Sequence, residues 1–193
     1  MTEQENIFDQ RNQNKPSSDF DHVQGLIKEC IAGNRRSQKA LYEKYSPFIY
    51  GVIRRYVPNT NIAQEILNDA FYKILTRLSQ YSFKGAFEGW MRRIVVNIIT
   101  DHFRKEFTNK EAYKVDIDTY DAYVDSDSIG KISYKELLDV VHSLPDTQRT
   151  VFNLFVFENF SHKEISEQLG ISENNSRWQL MKVQSLVMIV VVE

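Results

Sequence analysis

Residues 161–172 read SHKEISEQLGIS, and this stretch decides how the C-terminal part of the chain folds. Ser161 is followed three residues later by Glu164, the capping-box pattern that predicts the beginning of a helix. Gly170 can adopt the left-handed backbone conformation that ends a helix, and Ser172 can cap a following one. A short helix, a glycine turn and a second helix together predict a helix-turn-helix.

The second helix of this motif is predicted to begin near Glu173 and to run into the 180s. Leu180 and Val183 are expected to pack inward, with Met181 partly inward. The outward face then carries Asn174, Arg177, Trp178 and Lys182. Arginine and lysine on such a helix can contact phosphates or guanine edges in the major groove of DNA. The alternative is an αα-hairpin with a solvated polar face, but the coincidence of two caps and a glycine turn favours DNA binding.

Charge and composition exclude several classes of protein. The 24 basic and 26 acidic side chains give a formal net charge of −2, which excludes a uniformly basic nucleic-acid binder but not a locally basic one. Cys30 is the one cysteine, so no internal disulfide or cysteine-based zinc site can form within the chain. The longest apolar run, residues 186–192, is far shorter than the roughly 20 residues of a membrane span, and no secretory signal begins the chain. We therefore expect a cytoplasmic protein.

Apolar residues recur at helical spacing along most of the chain, and no stretch alternates in the manner of a strand. The helical stretches are 22–32, 36–56, 62–78, 87–103, 133–143 and 146–157, and Pro47 is able to kink or divide the second. Residues 1–20 are polar and predict a disordered lead-in, while residues 106–127 carry seven acids and two bases, which indicates an acidic linker. We predict an all-α fold: two small helical domains, at 21–105 and 132–193, joined by a flexible acidic linker at 106–131.

An acidic face is predicted on the helix over 62–78, opposite its apolar stripe. Glu65 and Asp69 lie four residues apart, with Asn68 and Tyr72 beside them. Because the surrounding sequence is basic and phosphates repel carboxylates, this acidic face is better suited to a basic protein surface than to DNA. A solvated helix face is the equally weighted alternative.

A basic face is predicted on the helix over 87–103 and its continuation. Its members fall at helical spacing and are Arg93, Asn97, Thr100 and Arg104. Just before this helix lies an aromatic loop, residues 81–87, which reads YSFKGAF and combines three aromatic rings with Lys84. Aromatic rings beside positive charge suit unstacked single-stranded bases. The alternative is that the rings fill the core and the charges keep the helix soluble.

Three blocks of sequence together resemble an extracytoplasmic-function (ECF) type sigma factor of bacterial RNA polymerase. Residues 62–71, IAQEILNDAF, are similar to the helix with which sigma domain 2 grips the clamp helices of the polymerase β′ subunit. Residues 81–97, YSFKGAFEGWMRRIVVN, are similar to the segment that opens the strands and reads the minus-10 element. Residues 144–186 resemble sigma domain 4. The resemblance covers about residues 22–186.

The resemblance implies a role for each matching position. Core polymerase is expected to contact Glu65, Asn68, Asp69 and Tyr72. Minus-10 DNA is expected to contact Ser82, Phe83, Lys84, Gly85, Arg93, Asn97, Thr100 and Arg104, with the loop cradling a flipped base and Asn97 lining the same site. Minus-35 DNA is expected to contact Asn174, Arg177, Trp178, Met181 and Lys182.

The resemblance further implies a promoter-specificity subunit with no catalytic residue, metal or cofactor. Its expected partners are core RNA polymerase, through the β′ clamp helices and the β flap, together with promoter DNA and an anti-sigma factor. Two features depart from the family. Residues 183–193 contain no arginine or lysine, and Trp178 stands where a small residue is common. We therefore expect weaker phosphate contacts and an altered minus-35 preference.

A conventional helix-turn-helix regulator with an N-terminal helical sensing domain is the alternative function. It accounts for residues 133–186 equally well, but it leaves the acidic face and the aromatic loop unexplained. An enzyme is disfavoured, because Glu164 and Glu167 lie on a helix without a partnered histidine and no phosphate-binding glycine loop is present.

Overall fold

The computed structural model describes the backbone of residues 17–111 and 134–192, and the side-chain surroundings of residues 21–105 and 138–183. Within these ranges the chain is helical and has no strand. The helices are α1 Ser17–Ile31, α2 Arg35–Tyr56, α3 Thr60–Arg77, α4 Phe87–Glu111, α5 Tyr134–Ser143, α6 Asp146–Val156, α7 His162–Leu169 and α8 Glu173–Val192. A 3-10 turn at Leu78–Gln80 follows α3. The prediction of an all-α fold is confirmed.

Helices α1 to α4 form a bundle, and asparagine side chains cap the N-termini of α2 and α3. The Asn34 side chain accepts a hydrogen bond from the backbone N of Arg36 at 3.0 Å, and Asn59 accepts one from Asn61 at 2.9 Å. Each cap satisfies a backbone donor that has no partner within its helix. The largest fully buried side chains of this bundle are Tyr56, Ile27, Leu41, Ile49, Ile53, Ile74, Leu78, Met91 and Ile99. Apolar burial of this kind is the main stabilising term of the bundle.

Helix α2 continues without a break through Pro47, which the sequence allowed to kink or divide it. Pro47 is exposed, whereas Tyr45 and Ile49 on either side of it are buried in the same core. An interior proline costs a helix about 3 kcal/mol. Burial of the side chains before and after Pro47 offsets that cost and keeps one helix rather than two.

Two element boundaries differ from the sequence-based prediction. Helix α1 begins at Ser17, so the last residues of the expected disordered lead-in, 17–20, are helical. Helix α4 ends at Glu111, so residues 106–111 of the expected linker are helical too. The other residues of the expected lead-in and linker, 1–16 and 112–131, lie outside the described residues.

The helix-turn-helix is formed by α7 and α8, as predicted. The Ser161 backbone N donates to the Glu164 carboxylate at 2.8 Å, and the Glu164 backbone N donates to the Ser161 hydroxyl at 3.3 Å. Both halves of the capping box are therefore present. Gly170 ends α7 with φ of 71°, and the Ser172 hydroxyl accepts from the Asn175 backbone N at 3.1 Å. The turn chemistry that the sequence indicated is thus formed in full.

The two halves of the chain pack against each other. Helix α7 lies against α4, and α5 and α6 lie against the C-terminal part of α2. The buried apolar cluster is continuous and includes Ile99 and Phe103 of the first half with Ile165 and Leu169 of the second. The helix-turn-helix therefore rests on the surface that the sequence assigned to the basic face.

Candidate nucleic-acid and polymerase interfaces

The acidic face on α3 is assembled as the sequence predicted. Glu65, Asn68 and Asp69 are exposed, and Tyr72 is 71% exposed. The opposite side of α3 is buried through Ala63, Ile66, Leu67, Ala70, Phe71 and Ile74. Tyr72 is thus a large aromatic side chain that the core does not use, surrounded by carboxylates and amides. An exposed tyrosine with a polar rim is a common anchor of protein–protein interfaces.

The aromatic loop is divided between core and surface. Tyr81 and Phe87 are buried with ring centroids 5.0 Å apart, and Phe87 stacks on Trp90 at 5.6 Å. These rings fill the core, which was the alternative given for this loop. Phe83 is half-buried, and its ring lies 5.0 Å from Tyr81.

The tip of the loop is held out from the core. Ser82, Lys84 and Gly85 are exposed. The Tyr81 hydroxyl donates to the Gly85 carbonyl at 2.7 Å, and burial raises the pKa of Tyr81. Gly85 has φ of 86° and Phe83 has φ of 57°. Positive φ is unusual for phenylalanine and is the kind of local strain that accumulates at functional sites.

The expected continuous basic face on α4 differs from the structure. Arg93 and Asn97 are exposed, but Thr100 is 0% exposed and Arg104 is half-buried. The Thr100 hydroxyl donates to the Asn97 carbonyl at 3.0 Å, and the Arg104 Nε donates to the Gln168 carbonyl at 2.7 Å. Helix α7 covers this end of the face. The covering element lies more than 60 residues away along the chain, so helical periodicity alone gives no signal of it.

A polar cleft of about 280 Å³ lies where α3, α4 and α7 meet. Its polar lining consists of Lys73, Arg77, Asn97, Asp101 and Gln168. Lys73 and Arg77 are not among the site residues predicted from the sequence. Their signal is the four-residue spacing of two bases on α3, which places both on one side of the helix beside Asn97. They add positive charge to the exposed end of the basic face.

The outward face of α8 carries the five side chains expected at the minus-35 element. Asn174, Arg177, Trp178, Met181 and Lys182 are all exposed. Met181 is 58% exposed, so the expectation that it turns partly inward is wrong. The reason is that Leu180 and Val183 fill the inward positions on either side of it. The Lys182 ammonium lies 5.4 Å from the centroid of the Trp178 ring.

The first turn of α8 is joined to α7 by a buried polar contact. Ser176 is fully buried, and its hydroxyl lies 2.9 Å from the His162 Nδ1. The His162 ring also stacks on Phe155 at 4.8 Å. Burial, followed by the nearby positive charge of Arg177, lowers the pKa of His162. These contacts hold α7 and α8 at a fixed angle and set the direction in which the exposed face points.

In residues 21–105 and 138–183, whose side chains the structure describes, no cluster of three or more histidine, cysteine, aspartate or glutamate side chains could hold a metal ion. Across the part of the chain that the structure describes, no helix is long and apolar enough to cross a membrane.

Comparison with known proteins gives two family matches that follow each other along the chain. Residues 41–107 match the Sigma-70 region 2 family, and residues 134–182 match the Sigma-70 region 4 family. The ECF RNA polymerase sigma-E factor of Haemophilus influenzae is 21% identical over 175 residues, covering 85% of this chain and 92% of the relative. The ECF RNA polymerase sigma factor BldN of Streptomyces coelicolor is 25% identical over 167 residues, covering 82% of this chain and 62% of the relative.

Among solved structures, the sigma factor RpoE in complex with the anti-sigma factor NepR from Bartonella quintana is similar. Its sequence is 13% identical, the match covers 79% of this chain and 95% of that one, and the TM-score is 0.46.

The two family matches lie in order along one chain, so the protein contains region 2 and region 4 of a sigma-70 type initiation factor. The chain belongs to the sigma-70 family and is an ECF-type RNA polymerase sigma factor. Sigma factors are transcription initiation factors rather than enzymes, and core RNA polymerase and promoter DNA are their partners. The region 2 match over 41–107 argues against the alternative function, a conventional helix-turn-helix regulator with an N-terminal sensing domain. That alternative also left the acidic face unexplained.

Proposed function

We propose that this sigma factor reads promoters at two separate DNA sites and melts them by capturing a minus-10 base. The single observation that carries the proposal is that Ser82, Lys84 and Gly85 at the loop tip are exposed on the same segment of chain as the exposed Arg93 and Asn97 of α4. Asn97 lies ten residues after the first residue of α4, a separation of about 15 Å along the helix axis. We assign core binding and minus-10 recognition to residues 21–105, and minus-35 recognition to residues 132–193.

Capture of a base at the loop follows from the chemistry of its exposed side chains. The half-buried Phe83 ring offers a stacking surface, and Lys84 beside it supplies positive charge for the adjacent phosphate. Asn97, about 15 Å farther along the helix axis, can make paired hydrogen bonds to the edge of a second base. These interactions offset the cost of unstacking a base, which is about a few kcal/mol. Promoter recognition and strand opening are thereby coupled.

Minus-35 recognition is assigned to the exposed face of α8. Arg177 and Lys182 supply phosphate or guanine contacts, and Asn174 lies near the start of the helix, where recognition helices meet base edges. Trp178 occupies the middle of this face and contributes an apolar surface suited to a thymine methyl group. Two weak DNA sites act together once polymerase fixes their spacing.

Polymerase docking is assigned to the acidic face, with the β′ clamp helices as its target and the β flap as the target of residues 132–193. Glu65→Lys/Asp69→Lys reverses two charges around Tyr72 and is expected to weaken binding of purified core polymerase at least 100-fold. Asp21→Lys/Glu43→Lys is the matched control, because it reverses two exposed acids of the same bundle outside α3. Equal binding by both double variants would overturn the assignment.

A further inference from the structure

The beginning of α8 carries an exposed carboxylate beside the side chains assigned to minus-35 DNA. Glu173 is the first residue of α8, and its side chain is 45% exposed. The first turn of the helix is well fixed, because the Ser172 hydroxyl accepts from the Asn175 backbone N at 3.1 Å and Ser176 is buried. In a helix-turn-helix, the N-terminal residues of the second helix are the ones that contact base edges. Glu173 therefore lies where such contacts are made.

Arg177 lies one turn further along α8 and forms an ion pair with this carboxylate. The Arg177 Nη2 lies 3.4 Å from the Glu173 Oε2, and both side chains remain exposed. An exposed pair of this kind contributes little to the stability of the fold. Its effect on DNA binding is different, because DNA phosphates repel a lone carboxylate and the neighbouring guanidinium offsets that repulsion. Arginine carries five N–H donors, so Arg177 keeps further donors for a guanine or a phosphate.

The chemistry of a carboxylate limits which base Glu173 can recognise. An ionised carboxylate accepts hydrogen bonds and donates none. In the major groove, guanine and thymine present acceptors without a donor, and adenine presents the acceptor N7 beside its N6 donor. Cytosine presents its N4 donor with no acceptor beside it. A carboxylate therefore matches cytosine and is repelled by an acceptor on each of the other three bases.

We propose that Glu173 is a specificity-determining residue of the minus-35 site and selects a cytosine by accepting a hydrogen bond from its N4 amino group. The ion pair with Arg177 orients the carboxylate and balances its charge in the groove. A guanine in the same or the next base pair presents O6 and N7, which suit the remaining donors of Arg177. The proposal rests on the assignment of α8 to minus-35 DNA and adds to it the base that one position requires.

A promoter library randomised across the minus-35 element tests this role with the holoenzyme reconstituted from core polymerase. Sequencing of the transcribed promoters gives the base preference at each position. Glu173→Ala is expected to weaken the preference for a C·G pair at one position at least tenfold. Glu173→Gln is expected to change that preference to an A·T pair, with adenine on the strand where cytosine stood. The reason is that a glutamine amide donates to N7 and accepts from N6 of adenine.

Glu167→Gln is the matched control, because it makes the same chemical change at an exposed acid of α7. It is expected to leave the preference at every position unchanged. Glu173 also lies in the first turn of α8, where a negative charge stabilises a helix. A purely stabilising role would lower transcription from all promoters of the library alike and change no base preference. A Glu173→Gln profile with the same preferences as the native one would therefore overturn the proposal, as would a native A·T preference at the position that responds.

The double variant Arg177→Ala/Lys182→Ala separates this proposal from the proposed function. If the double variant changes the minus-35 preferences and both Glu173 variants leave them unchanged, α8 reads minus-35 DNA and only the role of Glu173 is overturned. If none of these variants changes the preferences, the assignment of α8 to minus-35 DNA is overturned as well. A change from C·G to A·T at one position, confined to Glu173→Gln, supports both.

Discussion

Asn97 is the residue at which base preference is most directly testable. It is exposed on α4, and its backbone is braced by the Thr100 hydroxyl at 3.0 Å. Asn97→Asp replaces an amide donor with a second acceptor, which changes the base edge it can pair with at a cost of about 1–3 kcal/mol. We expect the minus-10 preference of the holoenzyme to shift by at least tenfold between bases, measured by transcription from a promoter library.

The control for Asn97 is Asn61→Asp, the same chemical change at an exposed position near the start of α3. Neither variant is expected to change binding of core polymerase. An unchanged promoter profile for Asn97→Asp, with transcription intact, would remove Asn97 from the reading site.

Glu164 links the stability of the helix-turn-helix to pH. Hydrogen bonds from the Ser161 hydroxyl, followed by that from the Ser161 backbone N, lower the pKa of Glu164 in the folded chain. A lowered folded-state pKa contributes stability above the ordinary carboxyl range, and that contribution is lost as pH falls through the folded-state value. Glu164→Ala is therefore expected to lower the melting temperature at neutral pH, with the difference disappearing in acid.

Thermal unfolding at a series of pH values measures this effect. Glu167→Ala, at another exposed acid of α7, is the control. A deficit of Glu164→Ala that stays constant from neutral pH to acid would show that the charge of the capping box contributes no stability.

At the residue scale, local chemistry was predictable and contact across the fold was not. Ser161, Glu164 and Gly170 act on the two ends of the same short helix, so spacing alone predicted their roles. Thr100 has the same helical spacing as its exposed neighbours, yet it is buried because Gln168 of α7 lies over it. Only the tertiary fold distinguishes these cases.

At the scale of elements, alanine at Gly170 and alanine at Gly51 are expected to change the free energy of unfolding in opposite directions. Gly170 ends α7 in the left-handed conformation, where a side chain costs about 1–2 kcal/mol. Gly51 lies inside α2 with no neighbouring atom within 4 Å of the position that a Cβ would occupy, so alanine is favoured there by about 0.5–1 kcal/mol. We expect Gly170→Ala to lower and Gly51→Ala to raise the free energy of unfolding in urea. Shifts of the same sign would contradict the assigned turn geometry.

The bodies of the helices were predicted more reliably than their ends. Apolar periodicity located each helix because burial enforces it. The predicted end of α4 was too early, because the apolar stripe ends at Phe103 and the acidic composition from Glu106 onward was interpreted as a linker. Residues 104–111 contain neither glycine nor proline, so nothing in them stops the helix before Glu111.

At the scale of the whole molecule, the order of surfaces was predictable and their mutual arrangement was not. The acidic face, aromatic loop and helix-turn-helix each carry a local pattern. The contacts that join the halves, such as Arg149 to the Tyr56 carbonyl and Arg92 to Glu158, connect residues 93 and 66 positions apart. A buried arginine that caps a distant helix leaves no periodic trace in the sequence.

The salt dependence of promoter binding tests whether the two DNA sites act through one holoenzyme. The chain is slightly acidic overall, so phosphate attraction has to come from local bases. Arg177→Ala/Lys182→Ala removes two bases from the exposed face of α8. If both contact phosphates, the slope of log affinity against log salt falls in magnitude by about 2.

Lys28→Ala/Lys39→Ala removes the same charge from exposed positions on α1 and α2, where no DNA contact is assigned, and is expected to leave that slope unchanged. On a promoter whose minus-10 strands are already separated, the α8 double variant is expected to recover part of its loss, because the α4 site then binds without the cost of unstacking. Equal slopes for the two double variants would mean that the charge of the whole molecule, rather than α8, attracts the duplex. A slope reduced for α8 alone, with recovery on the pre-opened promoter, would require both sites to act in the same complex.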